Sequence, residues 1–433
     1  MITTGSARTS GVEGGGFISN FTSRLLGDIR GRAALVVLGG LVCQMGLSFG
    51  YLFAPLQIPI TDDLGWNRTA YATGAAARIP LVALATAAIG FLTVRAGARV
   101  VASTACVIAA FTFFAMSRMQ TLWHFYALMP LVGIVLASLG DVTIGHVVMR
   151  WVSKRRGLAL GVVYIGANLG AMITVPLVAQ LEAASGWRTA ILWVGVGGAC
   201  AILPFAALAI RDPRREERRE VARAELETDP SLEGASMDLR RAIRTRSFWL
   251  LGFNLVATFI YFVAMTDQLV PFLTDEGFSG SEAAGHFRTI VAMGLGSKIL
   301  LGLLADRVSA PTALRFNTGL LFASSIVLLF LPARGPLALF IISYGFASTA
   351  RDVLYPLIVV HCFGVKYMAE IYGVLMLSLV AGALGPIAAA AARDATGSYS
   401  GAFGGLVFLN ALSLAATWLI RAEGGARTGD SAV

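Results

Sequence analysis

The chain has 433 residues, of which 56% are hydrophobic and 14% are charged, and its formal net charge is +9. Soluble domains carry about 25% charged residues, whereas the apolar residues here form runs long enough to cross about 30 Å of hydrocarbon. This composition excludes a soluble domain and predicts a polytopic helical membrane protein, because a β-barrel would show short alternating segments. Most cations lie in loops, where the positive-inside rule accounts for them without nucleic acid as a partner.

Twelve apolar spans are predicted and are numbered in chain order. They lie at about 33–58, 67–93, 99–117, 121–149, 157–181, 187–210, 247–273, 283–306, 311–332, 335–361, 368–391 and 399–420. A Gly/Ser/Thr-rich tail at 1–32 precedes span 1 and lacks the apolar segment of a cleavable signal. We therefore expect span 1 itself to direct insertion into the membrane.

A polar stretch at 211–246, which opens with RDPRREERREVARAELE, separates spans 6 and 7. Its Glu/Arg spacing predicts a partly helical linker at the membrane surface.

The chain is thus predicted to be an all-α membrane protein with twelve transmembrane helices in two pseudo-symmetric six-helix bundles. The expected parts are an N-terminal cytoplasmic tail at 1–32, a bundle at 33–210, a cytoplasmic linker at 211–246, a bundle at 247–420 and a C-terminal cytoplasmic tail at 421–433.

The charges of the loops predict the orientation of the chain. The basic residues that follow spans 2, 4 and 8 are Arg95, Arg99, Arg150, Lys154, Arg155, Arg156 and Arg307. The loops on the other side carry Asp62, Asp63, Glu182, Arg188, Asp275 and Glu276. Because short basic loops stay in the cytoplasm, we expect a multi-pass inner-membrane protein with both termini cytoplasmic, and we expect the basic loops to contact lipid headgroups.

The two halves repeat in register. DLGW, which begins at Asp63, recurs as DEGF, which begins at Asp275, and GFLTVR, which begins at Gly90, recurs at the same offset as GLLADR, which begins at Gly302. Asp141-Val142 in span 4 matches Asp352-Val353 in span 10 at an offset one position shorter. Glycines of span 5 match glycines of span 11 at the first offset. Paired halves with a site at their interface are a transporter architecture.

The two loops GFLTVRAGAR and GLLADRVS resemble the G-x-x-x-D-R-x-G loop of the major facilitator superfamily. In that family the loop acts as a cytoplasmic gate latch, in which the acid pairs across helix ends. The second copy keeps Asp306 and Arg307, which the resemblance implies are gating residues. The first copy has Val94 in place of the acid, so the same role does not carry over to the first half.

The segment RWVSKRRGLALGVVYIGANLG, Arg150 to Gly170, resembles the span 4–5 signature of the monocarboxylate transporters and their bacterial oxalate/formate-antiporter-like relatives. The acidic motif that this branch usually carries in span 1 is absent. In span 8 the branch places an acid four residues before an arginine, and the matching positions here are Gly294 and Lys298. The resemblance therefore implies that Lys298 is the partner of a substrate carboxylate, without an adjacent acid for proton coupling.

Five charged residues lie deep inside apolar runs, about ten or more residues from the nearest polar boundary on at least one side: Arg78, Asp141, Lys298, Arg351 and Asp352. A charge at the bilayer centre costs at least about 2.5–3.5 kcal/mol, and such residues mark substrate or proton routes. Three of the five are cations, which indicates an anionic cargo. The alternative for Lys298 is a side chain that snorkels to the cytoplasmic face, and the alternative for Arg78 is an ion pair with Asp141.

Arg78 and Arg351 are predicted to support Lys298, because a guanidinium can bind a carboxylate with two hydrogen bonds. Neighbouring residues point about 100° apart on a helix, so we expect Arg351 and Asp352 not to share a face. Asp352 is expected to balance Lys298 in an empty site or to accept a coupling proton, and Asp141, its repeat partner, shares either that role or a structural one. The residues expected to line the cavity are Tyr164, Asn168, Gln44 and Tyr355.

These features predict a secondary transporter that moves a small organic anion, a monocarboxylate or a related acid, by alternating access. Its expected partners are that carboxylate, membrane lipids, and either protons or a counter-anion, and we expect it to act as a monomer. No P-loop, zinc motif, nucleophile elbow or Rossmann fingerprint occurs in context, so no enzyme activity and no cofactor are predicted. The alternatives are an exporter of an amphipathic or non-anionic solute and a membrane sensor that does not transport.

Overall fold

The structure is a computed structural model that describes residues 31–66, 68–219, 236–331 and 336–423. Within these ranges the chain forms helices and no strands, which confirms the predicted all-α class. The predicted N-terminal tail lies almost wholly outside the described residues, as do the middle of the linker and most of the C-terminal tail.

The predicted spans of the N-terminal half correspond to helices. Spans 1 to 4 are Arg32–Met45 with Gly46–Tyr51 and Phe53–Leu64, Arg68–Ala96, Ala98–Ser117, and Leu122–Leu139 with Asp141–Trp151. Spans 5 and 6 are Arg156–Ile191 with Leu192–Gly197 and Gly198–Leu208.

The C-terminal half follows a short linker helix, Leu239–Ala242. Spans 7 to 9 are Arg246–Asp275, Gly280–Arg307 and Ala310–Leu328. Spans 10 to 12 are Leu337–Ser348 with Arg351–Phe363, Met368–Leu375 with Ser378–Gly382 and Leu384–Thr396, and Ser400–Thr417.

Nine segments of the described chain are long and apolar enough to cross a membrane, or ten when the two helices of span 10 are counted as one bent span. One of the nine, Arg156–Leu208, contains both span 5 and span 6. The helix changes course between them at Gly186, whose φ of 80° lies in the left-handed region that favours glycine. The helical bundle is therefore confirmed, while the count of twelve crossings stays a prediction.

Spans 4 and 10, which are repeat partners, are each broken near the middle. In span 4, Gly140 adopts an extended conformation and Asp141 begins a second helix. In span 10 the two helices meet at an angle of 44°, and Arg351 begins the second helix. A helix start leaves backbone N–H groups without intrahelical partners. At the break in span 10 the backbone N–H groups of Asp352 and Val353 donate to the carbonyl oxygens of Thr349 and Ala350. Both breaks place the positive end of a helix dipole inside the bundle.

Glycines bring the two halves into close contact on one side of the bundle. This side, which carries the ends of the linker at 210–219 and 236–246, is called the linker face. A Cβ on Gly157 of span 5 would collide with the carbonyl of Gly302 of span 8, and the reverse also holds. A Cβ on Gly90 of span 2 would likewise collide with the carbonyl of Ala369 of span 11. The bundle is thus closed at the linker face by two backbone contacts.

The internal repeat relates these two contacts. Gly90 and Gly302 are repeat partners, and so are Gly157 and Ala369. One turn deeper in the bundle, Gly161 lies against the carbonyl of Lys298, and its repeat partner Gly373 lies against the carbonyl of Thr86. Spans 5 and 8 therefore meet in the same way as spans 11 and 2, as a two-fold arrangement of the halves requires.

The first segment of the linker is fixed to the N-terminal half. Arg150 forms an ion pair with Asp212 at 2.5 Å, and the indole N–H of Trp151 donates to the carbonyl oxygen of Arg211 at 2.7 Å. The guanidinium of Arg211 also binds Glu217 with two hydrogen bonds, and these lower the pKa of the Glu217 carboxyl below its usual value. The described start of the predicted surface linker is thus tied to the bundle.

The contact between Gly157 and Gly302 yields a test of how the linker face closes. We expect Gly302→Ala to push spans 5 and 8 apart, because one methyl group meets backbone atoms that cannot rotate away. The measurement is the labelling rate of an Ile299→Cys variant by a membrane-impermeant maleimide, which should rise about fivefold or more. The matched control is Gly296→Ala, where the same methyl meets no atom within 4 Å; equal rates in both variants would contradict the prediction.

Candidate functional site

The buried acids lie at the starts of the two half-helices. Asp141 and Asp352 each occupy the first turn of the second helix of their span. A carboxylate there is stabilised by the positive end of the helix dipole. The breaks in spans 4 and 10 therefore give a physical reason for two acids in the middle of an apolar bundle, and they place both acids at the level of the breaks.

Asp141 is held by residues of its own half. The side-chain amide of Gln44 in span 1 donates to its carboxylate at 3.1 Å, and the hydroxyl of Tyr164 in span 5 donates to its backbone carbonyl at 2.9 Å. Gly145, one turn after Asp141, leaves the space that the Tyr164 hydroxyl occupies. Asp141 also interacts electrostatically with Asp352 and with Lys298 of the other half. The three expected residues Asp141, Tyr164 and Gln44 therefore form one group.

Lys298 connects the two halves. Its ammonium lies 3.0 Å from the backbone carbonyl oxygen of Tyr164, 3.2 Å from the side-chain oxygen of Asn168 and 3.0 Å from a carboxylate oxygen of Asp352. The first two acceptors belong to span 5 and the third to span 10. Only 4% of the side chain is exposed, so the snorkelling alternative is wrong. An ammonium has three N–H donors, and all three have acceptors here.

Asp352 binds two cations at once. One carboxylate oxygen pairs with Lys298, and the other lies 3.3 Å from the Nε atom of Arg351. Arg351 and Asp352 were expected not to share a helix face, and their charged ends nevertheless meet. The Cα–Cβ bonds of neighbours do diverge on a helix, but the guanidinium is at the end of a long flexible side chain and returns to its neighbour.

Arg351 also rests on two aromatic rings of span 7. The central carbon of its guanidinium lies 3.8 Å from the ring centre of Phe262 and 4.6 Å from that of Phe259. Its Nη1 atom is buried and has no hydrogen-bond acceptor among the described residues. The side chain as a whole is 13% exposed, more than that of Lys298. Of the two described cations of the site, Arg351 thus has the less complete set of hydrogen-bond acceptors.

The structure gives a reason for the missing acid at Gly294. A Cβ at this position would lie 2.5 Å from the hydroxyl oxygen of Thr349. Thr349 in turn donates to the Gly294 carbonyl at 3.2 Å and contacts the hydroxyl of Ser297 at 3.1 Å. Span 10 therefore fills the space that an acid in span 8 would need, and the same span supplies Asp352 as the acidic partner of Lys298.

A buried polar cluster fixes Tyr355 in the C-terminal half. The Tyr355 hydroxyl donates to the side-chain oxygen of Asn254 and lies 3.3 Å from the hydroxyl of Thr258. The amide nitrogen of Asn254 donates to Ser413 at 2.6 Å. Tyr355 is buried, as are Tyr164 and Gln44, and through Asn254 it joins spans 7, 10 and 12. That these residues line a cavity stays a prediction.

The two residues of the second loop that were predicted to act in gating, Asp306 and Arg307, differ in their contacts. The two carboxylate oxygens of Asp306 accept hydrogen bonds from the backbone N–H groups of Gly157 at 2.7 Å and Leu158 at 2.9 Å. These N–H groups form the start of span 5, so the acid pairs across helix ends. Arg307 is exposed. Val94, the repeat partner of Asp306, has no carboxylate to make the equivalent contact with span 11.

Arg78 lies within the helix Arg68–Ala96 of span 2, but its side chain is outside the described part of the structure. Neither its predicted cargo contact nor its ion pair with Asp141 is therefore tested.

The site residues that sequence reasoning missed are Phe259, Phe262, Asn254 and Thr349. Phenylalanines three apart in a membrane helix share a face, yet the same spacing is common on lipid-facing surfaces, so it carries no signal for an arginine contact.

The comparisons with known proteins agree with this architecture. Residues 36–386 match the family model of the Major Facilitator Superfamily, and the chain belongs to that family. It is 29% identical over 380 residues to monocarboxylate transporter 11 of Homo sapiens, an alignment that covers 84% of this chain and 76% of the relative.

Two solved structures share the fold. The crystal structure of the E. coli fucose:proton symporter FucP has a TM-score of 0.69 at 13% identity and covers 90% of this chain and 98% of that one. The crystal structure of the human organic anion transporter MFSD10 (TETRAN) has a TM-score of 0.69 at 18% identity and covers 89% and 99%. At these identities the likeness concerns the fold alone.

The contact of Asp306 with span 5 yields a second test. We expect Asp306→Asn to weaken closure of the linker face by about 1–2 kcal/mol, because it removes the negative charge from a helix N-terminus. The distance between spin labels at the linker-face ends of spans 5 and 8 should then show a larger open population. Asp394→Asn, which changes an exposed acid near the opposite end of span 11, is the control and should leave the distance distribution as in the unsubstituted protein.

Proposed function

We propose that this protein is a secondary transporter that carries a small organic anion, a monocarboxylate or related acid, across the inner membrane by alternating access. Family membership supports transport, and a monocarboxylate transporter is among the relatives. The observation that carries the proposal is Lys298, a buried cation whose acceptors come from both halves. A residue in that position senses both the relative placement of the halves and the presence of an anion.

Rocking of the two halves would change the partners of Lys298. Opening of the linker face separates span 5 from span 8, and Lys298 would then lose the carbonyl of Tyr164 and the side chain of Asn168. A buried ammonium without acceptors is costly. A cargo carboxylate would replace these acceptors through charge-assisted hydrogen bonds. The loaded bundle would therefore change state more easily than the empty one.

The charges of the site bear on the energy source. Lys298 and Arg351 contribute two positive charges, and Asp141 and Asp352 contribute two negative ones, so this described group is formally neutral. A bound monoanion would leave it with one negative charge, which a proton on either acid would balance. The neutral charge of the empty group therefore favours transport of the anion together with a proton. A further positive charge from Arg78 would instead favour exchange of one anion for another.

The proposed orientation places the linker face, and with it both termini, in the cytoplasm, because the basic loops lie there. Lys154, which is exposed, would then meet anionic headgroups of the inner leaflet, whereas Arg150 and Arg156 are bound within the bundle. Each bundle would move as one unit, and one chain would contain the complete pathway, so we propose that the monomer is active.

The proposal is tested by uptake into proteoliposomes of labelled acetate, pyruvate and benzoate, with and without a pH gradient. We expect Lys298→Ala to abolish uptake of the preferred carboxylate, because the site then loses its central cation. Lys366→Ala, an exposed lysine near the linker face, is the control and should transport normally. Normal uptake by Lys298→Ala would contradict the proposal.

The same assay separates the two coupling schemes. We expect an acidic external buffer to stimulate net uptake, because a proton accompanies the anion in the neutral site. Stimulation only by an anion trapped inside the vesicles, with no response to the pH gradient, would show exchange instead.

A further inference from the structure

The two described cations of the site differ in their capacity to take a new ligand. Lys298 has an acceptor for each of its N–H donors. Arg351 uses its Nε atom for Asp352, whereas its Nη1 atom has no acceptor in the described part of the chain. A buried donor without a partner costs about 1–3 kcal/mol. An arriving carboxylate therefore gains more from Arg351 than from Lys298 while the linker face is closed.

The Arg351 guanidinium lies over two aromatic rings of span 7. Phe259 and Phe262 are three residues apart and so lie on one side of that helix. Their ring centres are 4.6 Å and 3.8 Å from the guanidinium carbon. Contacts with the flat face of a guanidinium leave its N–H donors along the edge. The rings therefore hold the guanidinium through cation–π contacts, which use none of its N–H donors.

We infer that Phe262, assisted by Phe259, is a positioning residue that holds Arg351 for the carboxylate of the cargo, and that Arg351 makes the first contact with the anion before Lys298 is released. This inference rests on the proposed function. Phe262 acts through Arg351 and not by touching the cargo. The internal repeat offers no equivalent in the other half, because the repeat partners of the two rings are Leu47 and Gly50, and the repeat partner of Arg351 is Gly140.

The test uses the full chain in proteoliposomes and the carboxylate among acetate, pyruvate and benzoate that the unsubstituted protein takes up fastest. Initial rates are measured against concentration for Phe262→Leu, which keeps an apolar side chain but removes the ring. We expect the half-saturation concentration to rise about three- to thirtyfold, as loss of a cation–π contact predicts. The maximal rate should stay within about twofold, since the ring acts on binding.

Two further variants separate positioning from packing. Phe262→Tyr retains the ring and should restore half-saturation to within about twofold of the unsubstituted value. Phe253→Leu makes the same substitution at a more exposed position of span 7 and should change neither parameter. If Phe262→Leu does not fold, Phe259→Leu is measured in the same way, because its ring contacts the same guanidinium.

The outcomes distinguish this inference from the proposed function. Transport of a carboxylate with an unchanged half-saturation concentration in Phe262→Leu overturns the role of Phe262 and leaves the transporter proposal intact. A lower maximal rate that Phe262→Tyr does not restore also overturns it, since that result indicates packing alone. Failure of the unsubstituted protein to move any carboxylate in the panel overturns both.

Discussion

The buried ammonium of Lys298 is the interaction on which the arrangement of this protein depends. It takes acceptors from span 5 of one half and from span 10 of the other. A buried charge is costly when it lacks partners, and in this structure, where the linker face is closed, Lys298 has an acceptor for each of its N–H donors. The break in span 10 places Asp352 beside Lys298, and Gly161 of span 5 lets that helix approach the backbone of Lys298.

The internal repeat supplies a symmetric frame in which the charges are distributed unequally. Gly157–Gly302 and Ala369–Gly90 are equivalent backbone contacts, and the acids at the starts of the two half-helices are equivalent as well. Yet Lys298 has Thr86 as its repeat partner, and Asp306 has Val94. The backbone contacts between the halves thus follow the symmetry, whereas Lys298 and Asp306 have no charged equivalent in the N-terminal half.

Much of the architecture was accessible to sequence reasoning, because hydrocarbon thickness sets span length and because one offset shared by several motifs is hard to produce by chance. The buried charges were equally visible, since each interrupts an apolar run. Their pairing was harder to predict. The snorkelling alternative for Lys298 and the expected separation of Arg351 from Asp352 were both derived from one helix at a time. The charged end of a long flexible side chain can lie far from the direction in which its Cα–Cβ bond points.

The amino-acid sequence by itself determined a helical membrane protein with two related halves, the family resemblance and the set of charges inside the spans. These properties depend on composition and on periodicity along the chain, which are local. Only the tertiary structure decided that span 10 supplies the acid for Lys298, that Thr349 occupies the space beside Gly294 and that Phe259 and Phe262 carry Arg351. Those contacts join residues that are far apart in the chain, and they arise only when packing brings particular helix faces together.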